Sequence, residues 1–173
     1  MTKEKTINLS SNRTICKASI DDLSIVMEFI EQGKAKMIKA GNPNQWSASY
    51  PAESTIKCDI AQGECYLLCE CGKPIATFVA KEGPEPNYHR IDNGSWLDGQ
   101  PYYVIHRVAS VEGVHGVMAD IIKYCSTLTS SIRIDTHADN RPMQASLARL
   151  GFMYCGIIYV ENGDSRLAFQ CVF

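Results

Sequence analysis

The 173-residue sequence has no basic run and no arginine-rich helix, and its net charge is only −2. The electrostatic footprint of a polyanion binder is missing, which argues against nucleic acid as a partner. It also has no apolar stretch near the roughly 20 residues needed to cross a bilayer, and its first residues, MTKEKTINLSSNR, contain no signal-peptide core. The expectation is a cytoplasmic protein with no membrane partner. Internal repeats and low-complexity segments are absent too. Eight cysteines are present, but no C-x-x-C knuckle accompanies them, so reduced thiols are expected rather than a disulfide framework. The tightest group is Cys65, Cys69 and Cys71, whose odd positions would share one strand face. A metal site needs a fourth ligand, and none is evident; the three read as small buried hydrophobes, and no metal is expected.

What is present is ordinary for a globular domain: 45% hydrophobic and 21% charged residues. The length suits one domain with its own core, expected over residues 13–173 after a loose polar segment, residues 1–12. Arg13–Ala18 alternates as a strand, and Ser19-Ile20-Asp21-Asp22 supplies cap chemistry for a helix carrying Leu23, Val26, Met27 and Ile30. A second helix is expected over Ala52–Gln62. Strands Glu64–Cys71 and Ile75–Lys81 follow, joined by a Gly72-Lys73-Pro74 turn. Glu82–Gln100 reads as an ordered loop pinned by Tyr88, His89, Ile91 and Trp96. A strand over Pro101–Ser110 precedes the clearest helix, Val114–Leu128, whose apolar residues recur at i, i+3, i+4 and i+7. Strand Ile132–Asp135, helix Asn140–Leu150 and strands Phe152–Val160 and Arg166–Val172 complete the order β-α-α-β-β-β-α-β-α-β-β. This predicts a mixed α/β (α+β) sheet flanked by helices.

The run Ile132–Phe152, IRIDTHADNRPMQASLARLGF, releases a strand into a capped helix, with Asn140 eleven residues before the Gly151-Phe152 stop. This segment resembles the second cofactor motif of the GCN5-related N-acetyltransferases (GNAT), and the order of elements agrees across residues 13–173. The resemblance implies acetyl-CoA as cosubstrate and direct transfer of its acetyl group to a primary amine. It also implies that the strand ending Val108-Ala109-Ser110 exposes backbone to the pantetheine arm. The following loop, Val111-Glu112-Gly113-Val114-His115-Gly116-Val117, would then hold the diphosphate at a helix N-terminus, where free amides and the dipole favour an anion. This loop departs from the usual Q/R-x-x-G-x-G/A: Val114 stands where the first glycine usually sits, so Gly113 is expected to take the positive φ instead. Glu112 adds an unfavourable charge if it faces the diphosphate. The cofactor set is thus Val108, Ala109, Ser110, Gly113, Val114, His115, Gly116, Val117, Asn140 and Met143, with Asn140 serving as N-cap, as cofactor contact, or as both.

Many GNAT members carry a Tyr seven residues after the Asn as acid for the leaving thiolate; Leu147 occupies that position. Tyr154 or Tyr159 on the next strand is the substitute. For the base there are two candidates: His106, two residues before Val108 and so expected on its face, and His137 at the end of the neighbouring strand. The Val108 amide is the expected oxyanion donor. Cys155 has no visible base to make it a nucleophile. Trp46, Tyr88 and Trp96 are the candidate acceptor contacts, with Tyr50, Glu85, Asp92 and Asp98 nearby in sequence. The acceptor is a small-molecule or peptide amine, and the last strand offers an edge at which two copies could form a homodimer. The competing reading is a non-catalytic CoA-binding or regulatory module; a cysteine-based metal protein is the third.

Overall fold

The computed structural model describes Leu9 and residues 12–173, so most of the segment expected to be loose lies outside the described residues. The elements are β1 (Arg13–Lys17), α1 (Leu23–Lys39), α2 (Glu53–Ala61), β2 (Cys65–Glu70), β3 (Lys73–Glu82), β4 (Tyr103–Ser110), α3 (Val117–Cys125), β5 (Ser131–Thr136), α4 (Arg141–Arg149), β6 (Met153–Tyr159) and β7 (Ser165–Val172). The strands form one seven-stranded sheet in the order β1-β2-β3-β4-β5-β7-β6. Only β4 and β5 run parallel.

Both faces of this sheet are covered, which explains why β2 is buried along nearly its whole length instead of alternating. On one face Cys65, Leu67 and Cys69 meet Val26, Phe29 and Ile30 of α1 and Ile56 and Ile60 of α2. On the other, Tyr66, Leu68, Phe78 and Ile105 meet α3 and Leu147 of α4. α3 carries Val117, Met118, Ile121, Ile122 and Cys125 into that core along one stripe. Full burial of a side chain such as Ile121 contributes roughly 1.5–3 kcal/mol.

Gly33 fits α1 to this packing. A Cβ there would lie 2.9 Å from the Ala109 Cβ, so only glycine lets the helix approach β4 this closely. The helix is entered through a 3-10 turn, Ile20–Asp22, where the Ser19 amide donates to Asp22 Oδ2 at 2.8 Å.

Three local expectations are corrected. The β2–β3 turn is Cys71-Gly72, both at positive φ (50° and 77°), while Lys73 and Pro74 already belong to β3. The pair therefore has the φ signs of the tight hairpin turn whose twist suits the flanking strands. This takes Cys71 off the strand face and leaves it exposed, apart from buried Cys65 and Cys69. Second, α3 begins at Val117 and ends at Cys125, because Gly113 (φ 79°) and Gly116 (φ 74°) keep Val114–Gly116 in the loop.

The third correction concerns β4. Val79 pairs with His106, but Thr77 pairs with Ala109, so β4 carries one extra residue. That residue is Arg107, at φ 51°. The bulge changes the phase of the strand. Ile105 and Val108 both turn to the α3 side, whereas His106 faces the opposite side, beside Glu85 and Asp135. His106 and Val108 do not share a face.

Candidate active site

The parallel ladder between β4 and β5 comprises Tyr103↔Ile132 and Val104↔Arg133 and stops there. β4 continues to Ser110 and β5 to Thr136, so the two strands separate over their C-terminal halves. Two clefts open at the split. The first, about 510 Å³, is lined by Val108, Ala109 and Ser110, by Val114–Ala119 and by residues of α1 and α4. The second, about 530 Å³, lies among the 44–50 loop, β3, the bulge of β4, the end of β5 and the β6–β7 turn. Met37, Val108, Asn140 and Met143 line both, so the clefts meet where the strands part.

The lining of the first cleft is compatible with an anion. The N-cap of α3 is Gly116, which offers no capping side chain, so the first-turn amides are open to a ligand. Its charged or titratable lining residues are Lys36, His115 and Arg149, with no carboxylate among them. Lys36 Nζ donates to the Ser110 and Val111 carbonyls, both at 2.6 Å, and clamps α1 to the end of β4. Burial pushes its ammonium below the usual lysine range, partly offset by Glu112. Glu112 itself projects into solvent 3.8 Å from Lys39 and does not line the cleft. Arg13 ties the loop from the other side, donating to the His115 carbonyl at 2.8 Å and to Asp120 at 3.0 Å.

Of the ten residues expected to hold the cofactor, nine line this cleft; Gly113 shapes the loop without lining it. Asn140 is the N-cap of α4: its Oδ1 accepts from the Met143 amide at 3.3 Å and its Nδ2 donates to Gln45 Oε1 at 2.9 Å. Leu147 is fully buried in the core.

The second cleft holds His106 and Trp46 of the residues singled out for the reaction and the acceptor. His106 Nε2 lies 3.1 Å from Glu85 Oε2, and its Nδ1 is 4.0 Å from Asp135 Oδ1. Lys81 pairs with the same Glu85 oxygen at 3.0 Å. Burial alone would raise the Glu85 carboxyl, but the hydrogen bonds and charges of His106 and Lys81 prevail and hold it at about 2. On the other wall Arg107 forks onto Asp59, at 2.7 and 2.8 Å, and donates to the Tyr50 hydroxyl at 2.9 Å.

Four expected site residues are not brought to either cleft. Tyr88 is fully buried beneath the second one and donates to Asp135 Oδ1 at 2.6 Å; burial and the Asp135 charge raise its phenol well above the usual range. Trp96 packs at a tilt against Tyr88, ring centroids 5.1 Å apart, and covers the Arg133 guanidinium at 4.3 Å, anchoring the 83–102 loop. Tyr154 is exposed on β6 against Phe169. His137 points into its own loop, its Nδ1 accepting from the Asp139 amide at 3.1 Å. Tyr159 is engaged by Arg90, and the Cys155 thiol is buried and pushed up by that burial.

Sequence reading passed over Arg107, Asp59, Asp135 and Gln45. Asp135 carried the one usable signal, a carboxylate at the C-terminal end of a parallel strand, where open sheets gather ligands. Arg107 and Asp59 lie 48 residues apart, and no periodicity joins them.

The same architecture recurs among solved structures. A GNAT-family acetyltransferase from Streptococcus agalactiae is 29% identical, with a TM-score of 0.84 over 93% of this chain and 95% of that one. This chain has the GNAT fold. A GNAT-family acetyltransferase from Listeria monocytogenes is 17% identical (TM-score 0.66; 93% and 95% covered), so it supports the GNAT fold alone. The NatC complex bound to Gag peptide and CoA contributes a chain 15% identical (TM-score 0.60; 94% and 99% covered). No family model and no curated protein matches the sequence. Among the described residues no helix is long and apolar enough to cross a membrane, and no group of three or more His, Cys, Asp or Glu is arranged to hold a metal.

Proposed function

We propose that the chain is an acetyl-CoA-dependent N-acetyltransferase, with the cosubstrate in the first cleft and an amine acceptor in the second. The observation that carries this reading is the junction at Met37, Val108, Asn140 and Met143, where an anion-compatible cleft and a polar cleft meet at parted strands. Acetyl-CoA supplies a thioester whose acyl carbon is open to an unprotonated amine. The first-turn amides of α3, with Lys36 and Arg149, suit its phosphates, and the open edge of β4 suits its pantetheine amides.

His106 is the base. With its Nε2–H donated to Glu85, Nδ1 is left to take a proton from the acceptor ammonium, directly or through one water. Glu85 fixes the tautomer and favours the imidazolium that forms. The first proton leaves Nδ1 for solvent; once the amine has bonded to the acyl carbon, the nitrogen gives its second proton to Nδ1, from which it is available to the thiolate that departs with the C–S bond, and Leu147 takes no part. Because the bulge turns His106 away from Val108, the base approaches the amine from the acceptor side, while Val108 lies at the mouth of both clefts.

The test is thiol release from acetyl-CoA across an amine panel, run beside calorimetry with CoA. Turnover of at least one amine together with CoA binding supports the reading. CoA binding without turnover of any amine favours a binding module, and no CoA binding overturns both.

A further inference from the structure

Gln45 is held in an unusual way. Its Oε1 receives the Nδ2 groups of Asn42 and Asn140, each at 2.9 Å, the Thr136 hydroxyl at 3.2 Å and the His137 amide at 3.3 Å. Four donors converge on one oxygen. Exchanging the amide's oxygen and nitrogen would set an N–H₂ against the His137 backbone amide and against the Asn140 Nδ2, whose own orientation is held by the Met143 amide on its Oδ1, so these two donors fix the orientation of the group. Its backbone carbonyl also accepts from Arg166 Nη2 at 3.2 Å, which pins the residue from the β7 side. Nε2, with two donor hydrogens, has no partner among the described residues, and Gln45 lines the second cleft.

Asp135, one residue before Thr136, lines the same cleft. Its Oδ1 is taken by the Tyr88 hydroxyl, and its Oδ2 has no partner among the described residues. The cleft thus presents a locked neutral donor and a carboxylate oxygen from neighbouring positions around the end of β5. A simple alkylamine satisfies the carboxylate and leaves the Gln45 donor unpaired. An amine whose adjacent carbon bears a carbonyl carries a partner for each.

We infer that Gln45 is a specificity-determining residue, whose amide N–H₂ binds the carbonyl oxygen of an α-amino carbonyl acceptor. This rests on the acetyltransferase reading above and narrows its acceptor to an α-amino acid, its amide or a peptide amino terminus. The side chain needs no reorganisation to make the contact, because its other end is already held.

The experiment compares alaninamide with 3-methylbutan-2-amine, which matches its shape but lacks the carbonyl, using thiol release from acetyl-CoA. Free alanine and alanyl-glycinamide separate an amino acid from a peptide terminus. The quantity read is the ratio of kcat/KM for alaninamide to that for the alkylamine, compared between wild type and variant so that the difference in amine basicity cancels. Gln45→Glu keeps an oxygen for the four donors and removes the N–H₂; the ratio is expected to fall about tenfold, with CoA affinity unchanged. Gln45→Ala is expected to lower it in the same direction, with thermal unfolding reporting any loss of the loop. A ratio unchanged in both variants overturns this inference while leaving the acetyltransferase reading intact. Absence of turnover with the α-amino carbonyl probes while another amine of the panel is acetylated overturns this inference alone; absence of turnover with every amine of the panel, despite CoA binding, overturns the acetyltransferase reading and this inference with it.

Discussion

Replacing Glu85 by Gln tests the electrostatic centre of the second cleft. The native carboxyl sits at about 2 instead of the ordinary 4.5, because His106 and Lys81 outweigh the burial that would raise it. A carboxyl held below its unfolded value stabilises the fold when ionised. That contribution is complete above about pH 4.5 and fades as the pH falls towards 2. From those two values it is worth about 3 kcal/mol at pH 7 and about 1 kcal/mol at pH 3. Glu85→Gln removes the charge and keeps a carbonyl that can accept the His106 N–H. Denaturant unfolding at pH 7, 5, 4 and 3 should therefore show the variant less stable by up to about 3 kcal/mol at neutrality, with the gap narrowing below pH 4.5. A gap that stays constant down to pH 3, or none at pH 7, would refute the reasoning.

His106→Ala should lower kcat at least about a hundredfold with little change in acetyl-CoA affinity; an unchanged rate on a working acceptor removes it as base. Gly116→Val forces a branched residue to φ 74° at the start of α3, and should weaken CoA binding about tenfold by calorimetry; equal affinity contradicts the loop's role. A thiol–disulfide reagent should titrate Cys16, Cys58 and Cys71 quickly in the native protein. The remaining five should react only on unfolding, since they are buried and burial pushes Cys69 to about 11 and Cys125 to about 12; a fourth fast thiol would contradict the packing.

The order of elements and the faces of α1 and α3 were legible in the chain itself, because apolar periodicity and cap residues are local properties. Ser19 with Asp22 and Asn140 mark helix starts whatever surrounds them, and the Asn140–Gly151 interval placed α4 and its stop within a residue. Most of the lining of the first cleft follows from the order of elements as well, since it is nearly contiguous: the end of β4 and the loop that follows it.

Tertiary structure decided the rest. The bulge at Arg107 is one residue inserted against β3, invisible in a strand read at period two, and it reverses the side to which His106 points. The partners of His106 come from the 83–102 loop and β5, and Tyr88 and Trp96, read both as anchors of that loop and as acceptor contacts, pack under it as its core. Gln45 gives no sign in sequence at all. Its meaning depends on three donors that only the packed ends of β5 and α4 bring to an oxygen already met by Asn42 of its own loop, and on strands that part by geometry rather than by any residue's own preference.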